Sequence, residues 1–381
     1  MATREEEILA ILKSDPMISQ NDLADKLGIT RSSVSVYITS LLKKGLIKGR
    51  GYVISEELYP IIIGSVNVDL LGVLRDNESE LREDGYVQED SEISISYGGI
   101  AKNIAEELVR LGMSPKIISP IARDIFGNEI VRECAEHGIS LEGSLFLENV
   151  QSSMYLELRT RGRDWFTGLT NMANEKLLTP QYLETKYSLI HNASQIVVYD
   201  GLRRETLDYV SKRHADVPIF LLGTGGIRRA EKHRDIMNQF DFIQISPEAA
   251  LHIAGVEHPD PAGDDGVIRD VMSRLIEKGA REILVPFSGG KIAYATPDSV
   301  YLLSIPVCRR HDEYAFYRDI IMGGMVYGHS RHWPVEKMLK FAAASRELFF
   351  QQNRTVLAFT LGGVRQLQDT YDDSIIVRYP L

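Results

Sequence analysis

Apolar and polar positions along the chain change period once, near residue 58. Before that point they recur at helical spacing. Ile8, Leu9, Ile11 and Leu12 make one apolar face, which Asp15 and Pro16 bring to an end. Ser19 is a good N-cap for a second helix bearing Leu23, Ala24 and Leu27, and Gly28 terminates it. Thr30 caps a third helix, in which Val34, Ile38, Leu41 and Leu42 predict the inward face and Arg31, Ser32, Ser33, Ser35, Tyr37 and Thr39 the outward one. A tight turn between two helices, followed by a polar face near the start of the third, is the pattern of a helix-turn-helix. Leu46 to Ile54 then reads as a basic hairpin, the wing of such a domain.

From Ile61 onward, β-rich apolar runs alternate with amphipathic helical segments. Pro115–Ile121, Gln195–Asp200, Pro218–Leu222, Asp241–Ile245 and Glu282–Pro286 read as strands, with helices such as Lys102–Leu111 between them. Such alternation predicts an α/β domain with a mostly parallel sheet covered on both faces. Ser153–Arg159 alternates strictly and predicts a small β-lid together with segments near Val87–Tyr97. Two domains are expected, residues 1–58 and residues 59–381, joined too tightly for a flexible linker.

Composition sharpens the first domain more than the second. The 381 residues, 44% apolar and 25% charged, describe an ordinary globular protein, and a formal net charge of -10 argues against one that coats nucleic acid. Between Arg31 and Arg50, however, lie Arg31, Lys43, Lys44, Lys48 and Arg50 and no acid. A basic stretch falling on the recognition helix and wing of an acidic protein predicts double-stranded DNA as a partner. Lys43, Lys44, Lys48 and Arg50 are expected at phosphates, and Arg31, Ser32, Ser33, Ser35 and Tyr37 at base edges. One such domain reads only a short half-site, so a homodimer is expected. With two cysteines, no apolar signal core and no bilayer-length apolar run, the expectation is a cytoplasmic protein with no membrane partner.

Three stretches of the second domain carry chemistry. Asp319 leads into the apolar run of Ile320, Ile321, Met322, Met325 and Val326, where a carboxylate is either a helix-start charge or a catalytic base. Gly98 and Gly99, followed by Asn103 and Ala105, come after an alternating strand and would let backbone approach a ligand closely. Ile61 to Asp69 is an apolar strand ending in polar side chains, Asn67 and Asp69 among them, where an open α/β sheet places ligand contacts.

On these residues the chain resembles, from about Tyr59 to Val356, the PfkB (ribokinase-like) family of carbohydrate and nucleoside kinases. Gly98, Gly99, Asn103 and Ala105 match its Gly-Gly-x-x-x-Asn-x-Ala motif, and Ala122 to Gly127 resembles its Gly-x-Asp-x-x-Gly turn. The resemblance implies a ribokinase-like three-layer α/β/α sandwich with a small β-lid, preceded by an α+β winged helix-turn-helix domain. It also implies substrate contacts from Asn67, Asp69, Gly98, Gly99 and Asn103, and Asp319 as the catalytic base.

The phosphate side departs from the pattern. Where the family has Gly-Ala-Gly before its catalytic Asp, an anion hole of backbone N–H groups, this chain has Phe316, Tyr317 and Arg318. Its Asn-x-x-Glu, tied to magnesium and phosphates, is replaced by Glu248 and Leu251, and its Asp-Pro by Gly223 and Thr224. Ser288, Gly289 and Gly290 stand where the family has a nucleotide-side turn, and Ala343 where an Asn often lies near adenine. A fused winged helix is similar to the pseudouridine kinase group. The expectation is therefore a transcription regulator whose degenerate kinase domain senses a sugar or nucleoside. The alternative is an active ATP- and Mg2+-dependent kinase in which Arg318 neutralises the phosphoryl group and Glu248 or Glu313 supports the metal.

Overall fold

The computed structural model describes residues 3–16, 18–47, 58–74, 91–160, 166–224, 226–257, 263–305, 314–351 and 359–381. By its internal contacts the chain divides into Met1–Leu58 and Tyr59–Leu381.

In the first unit, three helices, α1 (Arg4–Ser14), α2 (Gln20–Leu27) and α3 (Arg31–Lys43), enclose a core of Ile8, Leu12, Ile18, Leu23, Ala24, Val34, Ile38, Leu41 and Ile47. Each helix starts on a side-chain cap. Thr3 and Glu6 form a capping box, while Ser19 and Thr30 accept from Asp22 N–H and Ser33 N–H. Gly28 ends α2 in the left-handed conformation, with φ 66°. Two expected orientations on α3 are corrected. Leu42 is 43% exposed, because at 3.6 residues per turn it lies about 80° around the helix from Val34, off the stripe that Ile38 and Leu41 share. Tyr37 is half-buried against the core rather than fully outward. The wing residues Lys48 and Arg50 fall outside the described residues.

The second unit is built on a nine-stranded sheet. Its elements begin with β1 (Pro60–Ile63), β2 (Asn67–Leu74), β3 (Glu92–Gly98), α4 (Ile100–Arg110), β4 (Lys116–Ile118) and β5 (Pro120–Ala122). There follow α5 (Ile125–Glu136), β6 (Leu145–Leu147), β7 (Met154–Thr160), β8 (Phe166–Asn171), α6 (Pro180–Glu184), α7 (Tyr187–His191), β9 (Gln195–Tyr199) and α8 (Arg204–Arg213). Next come β10 (Ile219–Leu222), α9 (Ile227–His233), β11 (Phe242–Gln244), α10 (Pro247–Ala254), α11 (Asp265–Glu277), β12 (Ile283–Pro286), β13 (Lys291–Thr296) and β14 (Ser299–Ser304). The last are α12 (Tyr314–Ser330), α13 (Val335–Gln351), α14 (Leu361–Gln368) and β15 (Ile376–Pro380).

The sheet order is β15-β14-β13-β12-β11-β10-β9-β1-β4, parallel from β4 to β12 and antiparallel beyond. Strands β1, β9, β10 and β12 are buried along their whole length, as strands covered by helices on both faces must be. This is a ribokinase-like three-layer α/β/α sandwich. The run Pro115–Ile121 is not one strand. β4 joins the main sheet, Ser119 turns its backbone to Ser144 and Leu145, and Pro120, which has no N–H to give the ladder, starts β5 in a separate pair with β6.

A four-stranded sheet, β3-β2-β7-β8, forms the lid. Its register pairs Asp69 with Tyr155 and Tyr155 with Thr170, so these three share one face. The opposite face carries Ile93, Ile95, Leu158 and Leu169, exposed by 77%, 54%, 36% and 64%.

Candidate functional site

Ser65, Tyr199, Asp200 and Thr224 lie at or just beyond the carboxyl ends of the parallel strands β1, β9 and β10, and the lid closes over those ends from the side. The start of α4 and the second turn of α12 complete the enclosure. The result is a cavity of about 340 Å³, placed outside the carboxyl ends of the strands where open α/β sheets bind ligands.

Asn67, Asp69, Gly99, Asn103, Arg318 and Asp319 all line this cavity. Gly98 does not, but a Cβ there would sit 2.2 Å from Asp69 Oδ2, so it lets β3 close against that carboxylate. Gly99 opens α4 with φ 95°, and a Cβ would fall 2.6 Å from both Asn67 Oδ1 and the Ser65 carbonyl. Asn67 Nδ2 donates to Asp69 Oδ1 at 2.6 Å, and Asn103 Nδ2 donates to Asp319 Oδ2 at 2.9 Å. Burial pushes the Asp69 carboxyl up to about 7 against the opposing bond from Asn67, and the Asp319 charge adds to the rise. Asp319, 3% exposed, is pushed up to about 6 by burial, with Arg318 and Asn103 opposing, and its Oδ1 has no hydrogen-bond partner among the described residues.

Asp319 is not at a helix start. Helix α12 begins at Tyr314, so the carboxylate stands in the second turn, and the i to i−4 ladder commits the Arg318 and Asp319 N–H groups to the carbonyls of Tyr314 and Ala315. Gln244 Nε2, at the end of β11, donates to the Arg318 carbonyl at 2.9 Å and ties α12 to the sheet. The Arg318 guanidinium donates from Nη1 to the Thr224 carbonyl at 2.8 Å.

The small residues after Asp319 have a packing explanation. A Cβ on Gly323 would lie 1.9 Å from Glu107 Oε2, and one on Gly324 would lie 2.7 Å from Ala342 Cα, so both glycines let α12 meet α4 and α13. Glu107, one turn beyond Asn103, is fully buried, and neither carboxylate oxygen has a hydrogen-bond partner among the described residues. Burial, reinforced by the Asp319 charge, raises its pKa well above the ordinary value. Through this group the folded chain keeps a proton that the unfolded chain loses above about pH 4.3, and that contribution to stability falls as pH rises. Glu107→Gln is expected to flatten that slope, gaining thermal stability over the parent at pH 8 and little at pH 5. An unchanged slope in melts at the two pH values would contradict this.

Of the positions that resemblance assigns to magnesium and phosphates, neither Glu248 nor Leu251 lines the cavity. Glu248 is exposed on the first turn of α10, and Leu251 is apolar and packs against the core. Among the described residues no group of three or more His, Cys, Asp or Glu could hold a metal ion. Glu313 lies outside the described residues. The turn between β12 and β13 has Gly289 and Gly290 at φ 64° and 77°. Ala343 is buried in α13.

Sequence reasoning missed part of the wall. Tyr155, Thr170, Met172, Glu175 and Arg229 also line the cavity. Tyr155 could have been found from the alternation of its strand, whereas Glu175 and Arg229 stand in no motif.

In the first unit the expected DNA contacts divide. Arg31, Ser32, Ser35 and Lys43 are exposed on α3, but the Ser32 and Ser33 hydroxyls hydrogen-bond to Thr30 Oγ1 at 2.8 and 2.9 Å. Lys44 pairs with Glu5 at 2.5 Å, which lowers the Glu5 pKa and offsets part of the local positive charge.

The family models agree with this two-part architecture. Residues 1–48 match winged helix-turn-helix DNA-binding, and residues 60–295 match pfkB family carbohydrate kinase. The chain belongs to the pfkB family, with a winged helix-turn-helix domain at its N-terminal end. It is similar to the uncharacterized sugar kinase YeiI of Escherichia coli strain K12, 26% identical over 345 residues, 90% of this chain and 92% of that protein. It is also similar to the pseudouridine kinase of the same strain, 23% identical over 288 residues, 75% of this chain and 88% of the relative. Arabidopsis thaliana ribokinase complexed with ribose and ATP shares the fold, at a TM-score of 0.69 and 14% identity, covering 83% of this chain and 100% of that one.

Proposed function

We propose that this protein is a DNA-binding transcription regulator whose pfkB-type domain binds a sugar or nucleoside and couples its occupancy to DNA affinity. The observation that carries the reading is an asymmetry within one site. Asn67, Asp69, Asn103 and Asp319 converge on a single cavity, while α12 runs unbroken from Tyr314 and commits the N–H groups beside Asp319 to its own ladder. On this reading the binding chemistry is kept, while the Arg318 and Asp319 N–H groups are engaged within the helix rather than held for a transferring phosphoryl group. The exposed apolar stripe of Ile93, Ile95, Leu158 and Leu169 on the lid supports pairing with a second copy, as a two-half-site DNA reader needs.

A specific observation favours the second reading, an ATP- and Mg2+-dependent sugar or nucleoside kinase. Asp319 faces the cavity with one oxygen unpartnered and a carboxyl raised to about 6, suited to accepting a hydroxyl proton near neutral pH. Phosphoryl transfer from ATP to a panel of sugars and nucleosides separates the two. The regulator reading expects no turnover above background. Robust transfer that disappears in Asp319→Asn, with sugar binding intact, would establish the kinase instead.

A further inference from the structure

Helix α3 carries an apolar side chain that the core of the first unit does not use. Val36 is 68% exposed, the most exposed large hydrophobic residue of that unit among the described residues. A lone exposed valine needs no explanation, but its place on this helix gives it one. At 3.6 residues per turn, Ser32, Val36, Thr39 and Lys43 fall within about 60° of one another, on the side of α3 away from Val34, Ile38 and Leu41. All four are exposed. In a helix-turn-helix this is the helix that lies in the major groove, and residues 1–48 match a winged helix-turn-helix DNA-binding model.

Around Val36 the hydroxyls are engaged at home. The Ser32 hydroxyl lies 2.8 Å from Thr30 Oγ1. Thr39 Oγ1 donates to the Ser35 carbonyl at 2.8 Å, which uses its proton and leaves its methyl as the branch free for a contact. Val36 and Thr39 stand at i and i+3, where side chains on a helix are neighbours. Ser32, Ser35, Val36 and Thr39 are all short, so the helix can approach the floor of a groove closely. A β-branched valine does not serve the helix itself, since Ala, Leu, Lys or Glu there would favour it more. Thymine alone of the four bases sets a methyl group on its major-groove edge.

We propose that Val36, with the Thr39 methyl beside it, is a specificity residue that reads thymine through its C5 methyl group, so that each half-site holds a T·A pair under the middle of α3. Recognition at that pair is an apolar contact rather than a hydrogen bond. Cytosine in the same place lacks the methyl and turns an amino donor toward a side chain that cannot accept from it. The inference rests on the DNA-binding part of the proposed function, but neither on ligand sensing nor on the fate of phosphoryl transfer.

The test selects the preferred duplex for the full chain from a random pool, then replaces each thymine in turn by deoxyuridine, which removes the C5 methyl and nothing else. Binding is read by fluorescence anisotropy at fixed salt for the parent and for Val36→Ser, a change that keeps about the same helix propensity at an exposed position. At one thymine in each half-site the parent should lose about fourfold in affinity, the worth of one buried methyl-sized group. Val36→Ser should bind the thymine and deoxyuridine duplexes alike, with the salt dependence of the parent. A selected site without thymine, a parent indifferent to every deoxyuridine, or an undiminished penalty in Val36→Ser overturns the proposal and leaves DNA binding intact. The parent's response to deoxyuridine needs no variant, so a poorly folded Val36→Ser does not shield the proposal. If no sequence is preferred over random duplex, the DNA-binding reading falls with it.

Discussion

Asp69→Ala should weaken ligand binding by about 10-fold to 150-fold, because it removes a carboxylate whose charge-assisted bond to a ligand hydroxyl contributes about 1.5–3 kcal/mol. The carboxylate is held in the cavity by Asn67 at 2.6 Å and by the close approach that Gly98 allows, so nothing else stands ready to take its place. Its protonation supplies an independent signature. With the carboxyl raised to about 7 by burial, the ionised acceptor is the minor form below neutrality, and affinity in the parent should climb as pH rises through 7 and level off above it. Asp69→Ala should erase that climb as well as the affinity. Calorimetry at pH 6 and pH 8 on both proteins checks this. A variant that binds as the parent does, or a parent whose affinity falls with rising pH, would remove Asp69 from the ligand.

Replacing Phe316, Tyr317 and Arg318 by Gly, Ala and Gly should have the second large effect, in the opposite direction. These residues lie in the first turns of α12, and Arg318 is engaged with the Thr224 carbonyl. Glycine at both ends of the segment lowers helix propensity by about 1 kcal/mol per residue and frees the N–H groups beside Asp319 from the ladder. The altered protein should gain nucleotide binding, read as thermal stabilisation of about 2.7 kcal/mol at 100 times the Kd. Turnover need not follow, because Glu248 and Leu251 still stand at the positions tied to metal and phosphate. Equal nucleotide stabilisation of the parent would show that α12 never blocked the site.

Features set by local chemistry were legible in the sequence. Ser19, Gly28 and Thr30 bound their helices where capping rules put them, and Asn67, Asp69, Gly99 and Asn103, singled out in the sequence, line one cavity. What escaped depends on tertiary context. Leu42 failed because an apolar residue at i+8 lies at the margin of the stripe, and neighbouring helices decide whether it is covered. The break at Ser119 depends on Ser144 and Leu145, which no reading of residues 115–121 contains. Gly323 and Gly324 take their packing role from Glu107 and Ala342, which stand on other helices. Glu175 and Arg229 became visible only when the fold brought a turn after the lid and the start of α9 to the same wall.

The central claim is that a ligand in the pfkB-type domain changes how the winged helix-turn-helix binds DNA. Titration of the full chain against its selected duplex at moderate salt, with and without saturating sugar or nucleoside, tests it most directly. The account predicts a preferred sequence over random duplex and a ligand-dependent shift in DNA affinity of about 5-fold to 150-fold, the range of a coupling of about 1–3 kcal/mol. A protein that prefers no sequence, or whose DNA affinity is the same with the cavity filled and empty, would contradict it.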